Sequence, residues 1–168
     1  MSLQIATLRE EHLEDAAALV SARYRALRQQ LPILPSRYEQ ADTIVEMLRG
    51  IMGQADGAVA TRGGRLVGFM TGFVIGEWMG KRTLYSPEWA NGATLDESRR
   101  VYEEMYCHLS ARWVADGCFL HALTLPVHDR AGIEGWHWLG FGMVAVDGVR
   151  ELVPVEGHVA EVEVRRAG

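Results

Sequence analysis

The sequence is short of several things, and each shortage excludes something. Among 168 residues there are two cysteines, Cys107 and Cys118. They form neither a C-x-x-C pair nor a zinc spacing, which excludes a disulfide framework and a zinc ribbon. Two reduced thiols are the expectation, as in a cytoplasmic protein. No apolar run approaches the roughly 20 residues of a membrane helix. The opening MSLQIATLREEH lacks the basic and apolar stretches of a secretory signal. A cytoplasmic protein with no membrane partner is therefore expected. Bases are fewer than acids, 17 against 22, for a formal charge of -5. Adjacent bases come only in pairs, such as Arg99-Arg100. Nothing there tracks a phosphate backbone, so no nucleic-acid partner is expected.

What is present is ordinary globular material. Hydrophobic residues make up 48% and charged residues 23%, which argues against disorder. The 18 glycines follow no fixed period, which excludes collagen. The length suits one domain, residues 1–168, with a core that needs no staples.

Periodicity then places the elements. Residues 3–8 alternate as a short strand. Leu13, Ala16, Ala17, Val20, Tyr24 and Leu27 share one helical face. Pro32 and Pro35 break the chain, and a second amphipathic helix spans 39–54, with Ile44, Leu48, Ile51 and Met52 inward. Residues 58–62 and 65–75 flank Gly63-Gly64 and read as a hairpin. Gly68 and Gly72, within its longer strand, mark a bulge or a close backbone approach. Residues 76–80 read as a loop and 82–86 as a strand. Thr94-Leu95-Asp96-Glu97 has capping-box spacing, ahead of a stripe of Val101, Tyr102, Met105, Leu109 and Trp113. Asp116-Gly117 ends that helix. Residues 119–125 read as a strand buried on both faces. A short helix at 130–139 and strands at 143–146 and 158–164 complete the order β-α-α-β-β-β-α-β-α-β-β. That order implies an α/β fold, a central mixed sheet flanked by helices.

Two segments carry a resemblance. Trp136-His137-Trp138-Leu139-Gly140-Phe141 resembles the Y-x-x-x-G-F signature of the GNAT N-acetyltransferase superfamily. Tyr85-Ser86-Pro87-Glu88-Trp89 resembles the strand end that leads into that family's cofactor loop. The resemblance spans nearly the whole chain in element order, with its sharper motifs at about 84–100 and 119–142. It implies acetyl-CoA as co-substrate and a small-molecule amine as acceptor. The pantetheine arm would lie between the splayed ends of strands 82–86 and 119–125. The pyrophosphate would sit on backbone N–H groups at the start of the following helix. Tyr85, Ser86, Asn91, Gly92, Ala93, Thr94, Asp129 and Trp136 fall at the positions implied to bind the cofactor. No metal site is expected, because His121 and His128 have no third ligand near them in sequence.

The departures from the family pattern cluster on those same positions. Ala90 stands where a basic residue is usual, and only Gly92 offers a bare backbone. Asp96 and Glu97 would repel phosphates at the expected helix start, with Arg99 and Arg100 one turn along as an offset. Trp136 replaces the tyrosine that usually protonates the departing thiolate, and an indole N–H is no acid near neutral pH. Asp129 stands for the usual asparagine and Gly132 for the usual alanine.

Each catalytic candidate has a plain alternative. His121 is a base beside the notch or a core histidine with a satisfied ring. His128, with Asp129 after the strand's carboxyl end, is a base or a loop residue. Glu88 is a general base or a solvated carboxylate. Trp89, Trp136 and Trp138 line a pocket or pack the core. Tyr102 and Tyr106 are expected in the core and at the surface respectively. Residues 161–168 read either as the domain's last strand or as the first strand of a tandem partner domain. Three functional readings follow. One is an acetyl-CoA-dependent N-acetyltransferase. Another is a non-catalytic GNAT-like domain with a structural role, in a homodimer or beside a tandem partner. The third is a small-ligand module using a tryptophan-lined cleft without CoA.

Overall fold

The computed structural model describes residues 2–150 and Leu152. Its strands are β1 (Leu3–Thr7), β2 (Ala58–Arg62), β3 (Arg65–Met70), β4 (Phe73–Trp78), β5 (Lys81–Ser86), β6 (Asn91–Ala93) and β7 (Leu120–Leu123). Its helices are α1 (Leu13–Gln30), α2 (Ala41–Ile51), α3 (Ser98–Ala115) and α4 (Arg130–Trp138). No described helix is long and apolar enough to cross a membrane.

The strands form two sheets with shared chain. One has the order β1-β2-β3-β6, antiparallel throughout. The other has the order β4-β5-β7, with β4 and β5 antiparallel and β5 and β7 parallel. β3 runs on into β4 through Thr71-Gly72, and β5 runs on into β6 through residues 87–90. The run expected as one strand over 65–75 is thus broken at Thr71-Gly72. Gly72 permits a close backbone approach at the break. A methyl group on Gly72 would lie 2.4 Å from the Tyr85 carbonyl oxygen. Opposite it, residues 87–90 bulge out and return where the Thr71 N–H meets the Ala90 carbonyl at 2.9 Å.

Period-2 alternation splits the side chains between two cores. Ala58, Ala60, Met70 and Ala93 pack toward Val101, Tyr102, Met105, Leu109 and Trp113 of α3. Val59 and Phe69 pack toward Leu13, Ala16, Ala17 and Val20 of α1 and Ile44 and Leu48 of α2. Each fully buried Leu, Ile or Phe contributes about 1.5–3 kcal/mol. The expected stripes on α2 and α3 are buried as the spacing implied, with Met52 at the margin. On α1, Tyr24 and Leu27 are half-buried.

Several local expectations change. The region 76–80 is mostly strand, because β4 reaches Trp78 before turning at Met79-Gly80. The capping box at Thr94 does not form. The Glu97 side chain pairs with Arg62 instead, the Thr94 hydroxyl is buried without a partner among the described residues, and α3 starts at Ser98. β7 is half-buried throughout rather than buried on both faces, and Phe119 lies outside it. Tyr106 is half-buried among aromatic rings rather than at the surface. Residues 143–146 have no regular structure. The strand expected at 158–164 and the tail at 161–168 lie outside the described residues. Both cysteines are free thiols, Cys107 exposed and Cys118 buried.

Candidate functional site

The carboxyl ends of β5 and β7 lie side by side, and the chain fills the space between them with its own polar groups. The filling starts on α1. Arg23 follows Val20 on the buried stripe of that helix and is 93% withdrawn from water, with 7% exposure. A buried guanidinium needs an anion and acceptors. Its NH2 donates to Asp129 Oδ2 at 3.0 Å. Its NH1 reaches the Tyr102 hydroxyl oxygen at 3.2 Å and the Asn91 carbonyl at 3.5 Å.

Asp129 is 1% exposed and caps α4. Its Oδ1 accepts from the Gly132 N–H at 2.9 Å and from the Ser98 hydroxyl at 2.8 Å. A carboxylate at a helix N-terminus meets the positive end of the dipole. Gly132 is required by this contact, because a Cβ there would lie 2.6 Å from Asp129 Oδ2. Two of the sequence departures, at Asp129 and Gly132, therefore lie in direct contact.

The second arm runs through Tyr102 to Asn91. Tyr102 donates its O–H to Asn91 Oδ1 at 3.2 Å. Burial pushes the Tyr102 hydroxyl up to about 12, with Asp129 adding to the rise and Arg23 opposing it. It is a fixed neutral link and no acid near neutral pH. The fully buried Asn91 amide then donates to the Pro87 carbonyl at 2.8 Å and the Thr124 carbonyl at 3.2 Å. The Ser86 carbonyl and hydroxyl lie 3.4 and 3.3 Å away. One side chain thus bridges the ends of β5 and β7. The Thr124 N–H also bonds the Ser86 carbonyl at 2.9 Å, and the Tyr85 and Thr124 hydroxyls pair at 2.9 Å.

Behind this bridge the rings of Tyr106, Trp113, His121, Trp136 and Phe141 stack edge to face. The space they leave is about 10 Å³, room for at most one water. Trp136 is buried, and its indole N–H has no partner among the described residues. An open depression of about 410 Å³ lies over the start of α3. Asp96, Glu97, Glu103 and Glu104 line it together with Arg99 and Arg100.

The catalytic candidates do not converge. His121 spends both ring nitrogens on structure, one on the Tyr106 hydroxyl at 2.9 Å and one on the Cys118 carbonyl at 3.0 Å. Desolvation holds its pKa below the usual histidine value. His128 also titrates low, first through desolvation and then through Arg23. Its two ring nitrogens are shielded and unpartnered among the described residues. Glu88 is exposed on the bulge. Trp89 packs on the α1–α2 core, Trp136 lies in the other core and Trp138 is 71% exposed, so they line no common cleft.

Sequence reading missed Arg23, Ser98 and Thr124. The signal for Arg23 was present: a charged residue in register with Ala16 and Val20 requires a buried partner. Nothing local marks Ser98 or Thr124.

No family model and no curated protein sequence matches the chain. Solved structures do. A ribosomal-protein-alanine N-acetyltransferase from Brucella melitensis biovar Abortus 2308 superposes with a TM-score of 0.59 at 19% identity, over 92% of this chain and 100% of its own. An aminoglycoside N-acetyltransferase in complex with CoA gives 0.56 at 14% identity, over 90% and 96%. A transcriptional regulator from Bacillus halodurans C-125 gives 0.59 at 18% identity, over 90% and 100%. This chain has the GNAT acetyltransferase fold. In this fold, Tyr85, Ser86, Asn91 and Asp129, at the implied cofactor positions, are engaged within the chain itself. Asn91, Gly92 and Ala93 form the buried strand β6, paired with β3, so they form no open loop around phosphate. The gap expected for pantetheine holds the Asn91 amide. Four carboxylates and two arginines line the depression over the start of α3, and Asp129 already caps α4.

Proposed function

We propose that this protein is a non-catalytic GNAT-fold domain with a structural or partner-binding role rather than an acyltransferase. The observation that carries the reading is the Asn91 amide between the Pro87 and Thr124 carbonyls. A cofactor arm adding between the two strand ends would compete for those carbonyls. It would also displace a side chain whose own oxygen is held by Tyr102. Breaking a connected buried polar network leaves several groups unsatisfied at once, at about 1–3 kcal/mol each. The fold does not argue against the proposal, since one fold hosts many functions.

The test is calorimetric titration with acetyl-CoA. The expected result is no heat of binding and no thermal shift at millimolar cofactor. Binding with turnover of any amine would overturn the proposal.

A second reading is an acetyl-CoA-dependent N-acetyltransferase acting on a small-molecule amine. What supports it is the parallel pairing of β5 with β7 and a fold neighbour in complex with CoA. It requires the Asn91 bridge to open, and Tyr85, Ser86, Thr94 and Trp136 to turn toward the cofactor. Glu88 and His128 are then the candidates for the base.

A further inference from the structure

The parallel ladder between β5 and β7 ends where the Thr124 N–H bonds the Ser86 carbonyl at 2.9 Å. The next bond of a parallel ladder would run from the N–H of residue 88 to the Thr124 carbonyl. Residues 87–90 instead turn out of the ladder, closed by the Ala90 N–H on the Pro87 carbonyl at 2.8 Å. The Asn91 side chain fills the vacated step. Its Nδ2 lies 3.2 Å from the Thr124 carbonyl and 2.8 Å from the Pro87 carbonyl. A side-chain amide therefore stands where a neighbouring strand would.

The donors and acceptors at this step are unequal. Asn91 Nδ2 carries two N–H groups. Four oxygens face it, those of Thr124 and Pro87 together with the carbonyl and hydroxyl of Ser86. The end of the ladder thus suits a chain that brings several N–H groups in succession. The amide is also tethered from behind. Its Oδ1 accepts from Tyr102, whose oxygen accepts from Arg23, which Asp129 holds. Beyond β6, the depression over the start of α3 is poor in free positive charge. Asp96, Glu97, Glu103 and Glu104 line it, and Arg99 is already engaged by Glu103 and Glu134.

We propose, on the reading that the notch is closed, that the Asn91 carboxamide is an intramolecular stand-in for an uncharged chain of secondary amides, and that it alone bars such a chain from these carbonyls. A chain of that kind adds to a strand end through main-chain-like hydrogen bonds. Pantetheine has this chemistry without the phosphates that the carboxylates at α3 would repel. The plug is intramolecular, so it competes with any free ligand at a high effective concentration.

The test is calorimetric titration of pantetheine, and separately of acetyl-CoA, into the full chain and two variants. The parent is expected to bind neither. Asn91→Ala is expected to bind pantetheine at least about tenfold more tightly than the parent does, and acetyl-CoA no more tightly than pantetheine. Tyr102→Phe keeps its ring against Trp136 and releases Asn91 Oδ1. It binds pantetheine more weakly than Asn91→Ala, because the amide still competes. Silence toward pantetheine in whichever variant retains the parent's circular dichroism overturns the proposal and leaves the closed-notch reading standing. A parent that binds pantetheine as tightly as Asn91→Ala overturns both. Acetyl-CoA bound about tenfold more tightly than pantetheine by Asn91→Ala overturns the restriction to an uncharged chain.

Discussion

The two halves of the sheet are held by different forces. Under β1, β2, β3 and β6 the chain buries alternating apolar side chains against α1 and α2 on one face and α3 on the other. The β4-β5-β7 half is thinner. β4 is half-buried to exposed, and β7 is half-buried. Where the halves meet, Arg23, Asn91, Ser98, Tyr102 and Asp129 join α1, β6, α3 and α4 through hydrogen bonds and one ion pair. Apolar packing tolerates substitutions that keep volume. A connected polar joint tolerates few, because each loss orphans its neighbours. The difference places the least replaceable contacts of the chain where α1, β6, α3 and α4 meet.

Breaking the ion pair gives the largest effect. Asp129→Ala leaves Arg23 charged, buried and without its anion, and removes the cap of α4. Unfolding in urea is expected to show a loss of about 3–5 kcal/mol. Leu48→Ala in the apolar half costs a similar 2–5 kcal/mol by a different route, through lost packing and a cavity. The double variant Arg23→Met with Asp129→Leu separates the two mechanisms. It is expected to recover part of the Asp129→Ala loss, since no buried charge is left unpaired, while the Ser98 hydroxyl and the Gly132 N–H still lack their acceptor. A double variant as unstable as Asp129→Ala would assign the whole loss to those hydrogen bonds and the cap of α4 rather than to the unpaired charge.

Next is Asn91→Ala, with an expected loss of about 2–4 kcal/mol as the Pro87 and Thr124 carbonyls lose their donor. Gly132→Ala follows, at about 1–3 kcal/mol. Its methyl overpacks the Asp129 carboxylate, and Asp129→Asn in the same chain does not relieve it. Both are read from chemical denaturation midpoints at constant slope.

The sequence made the scaffold legible where periodicity carries it. The α3 stripe from Val101 to Trp113 and the alternation in β2 follow from spacing alone. The family resemblance was legible at Pro87 and at Gly140-Phe141. What escaped were features decided by long-range contacts. Thr94 and Glu97 have the spacing of a cap, but Arg62, 35 residues away, takes the Glu97 side chain. Residues 90–93 resemble a loop, but β3 offers them a ladder. The departures at Asp129 and Gly132 were visible singly. The partner of the Asp129 charge, Arg23, lies 106 residues away.

The smallest effect belongs to pH, and it tests whether the half with the joint is also the titrating half. His121 and His128 both lie at β7 or just past it, and both titrate below the ordinary histidine value of 6.5 in the folded protein. The unfolded chain therefore takes up protons at these sites before the folded chain does. Their contribution to stability is complete above about pH 6.5. It declines as the pH falls below that value, until the folded-state histidines also protonate. Urea midpoints measured from pH 7.5 down to 5.5 are expected to fall steadily. His128→Gln, which removes a ring without hydrogen-bond partners among the described residues, is expected to flatten part of that slope and leave the midpoint at pH 7.5 nearly unchanged. An equal slope in the variant would assign the pH dependence to His121, whose ring is tied to Tyr106 and Cys118. The titrating site would then lie in the aromatic cluster behind the joint rather than beside Arg23.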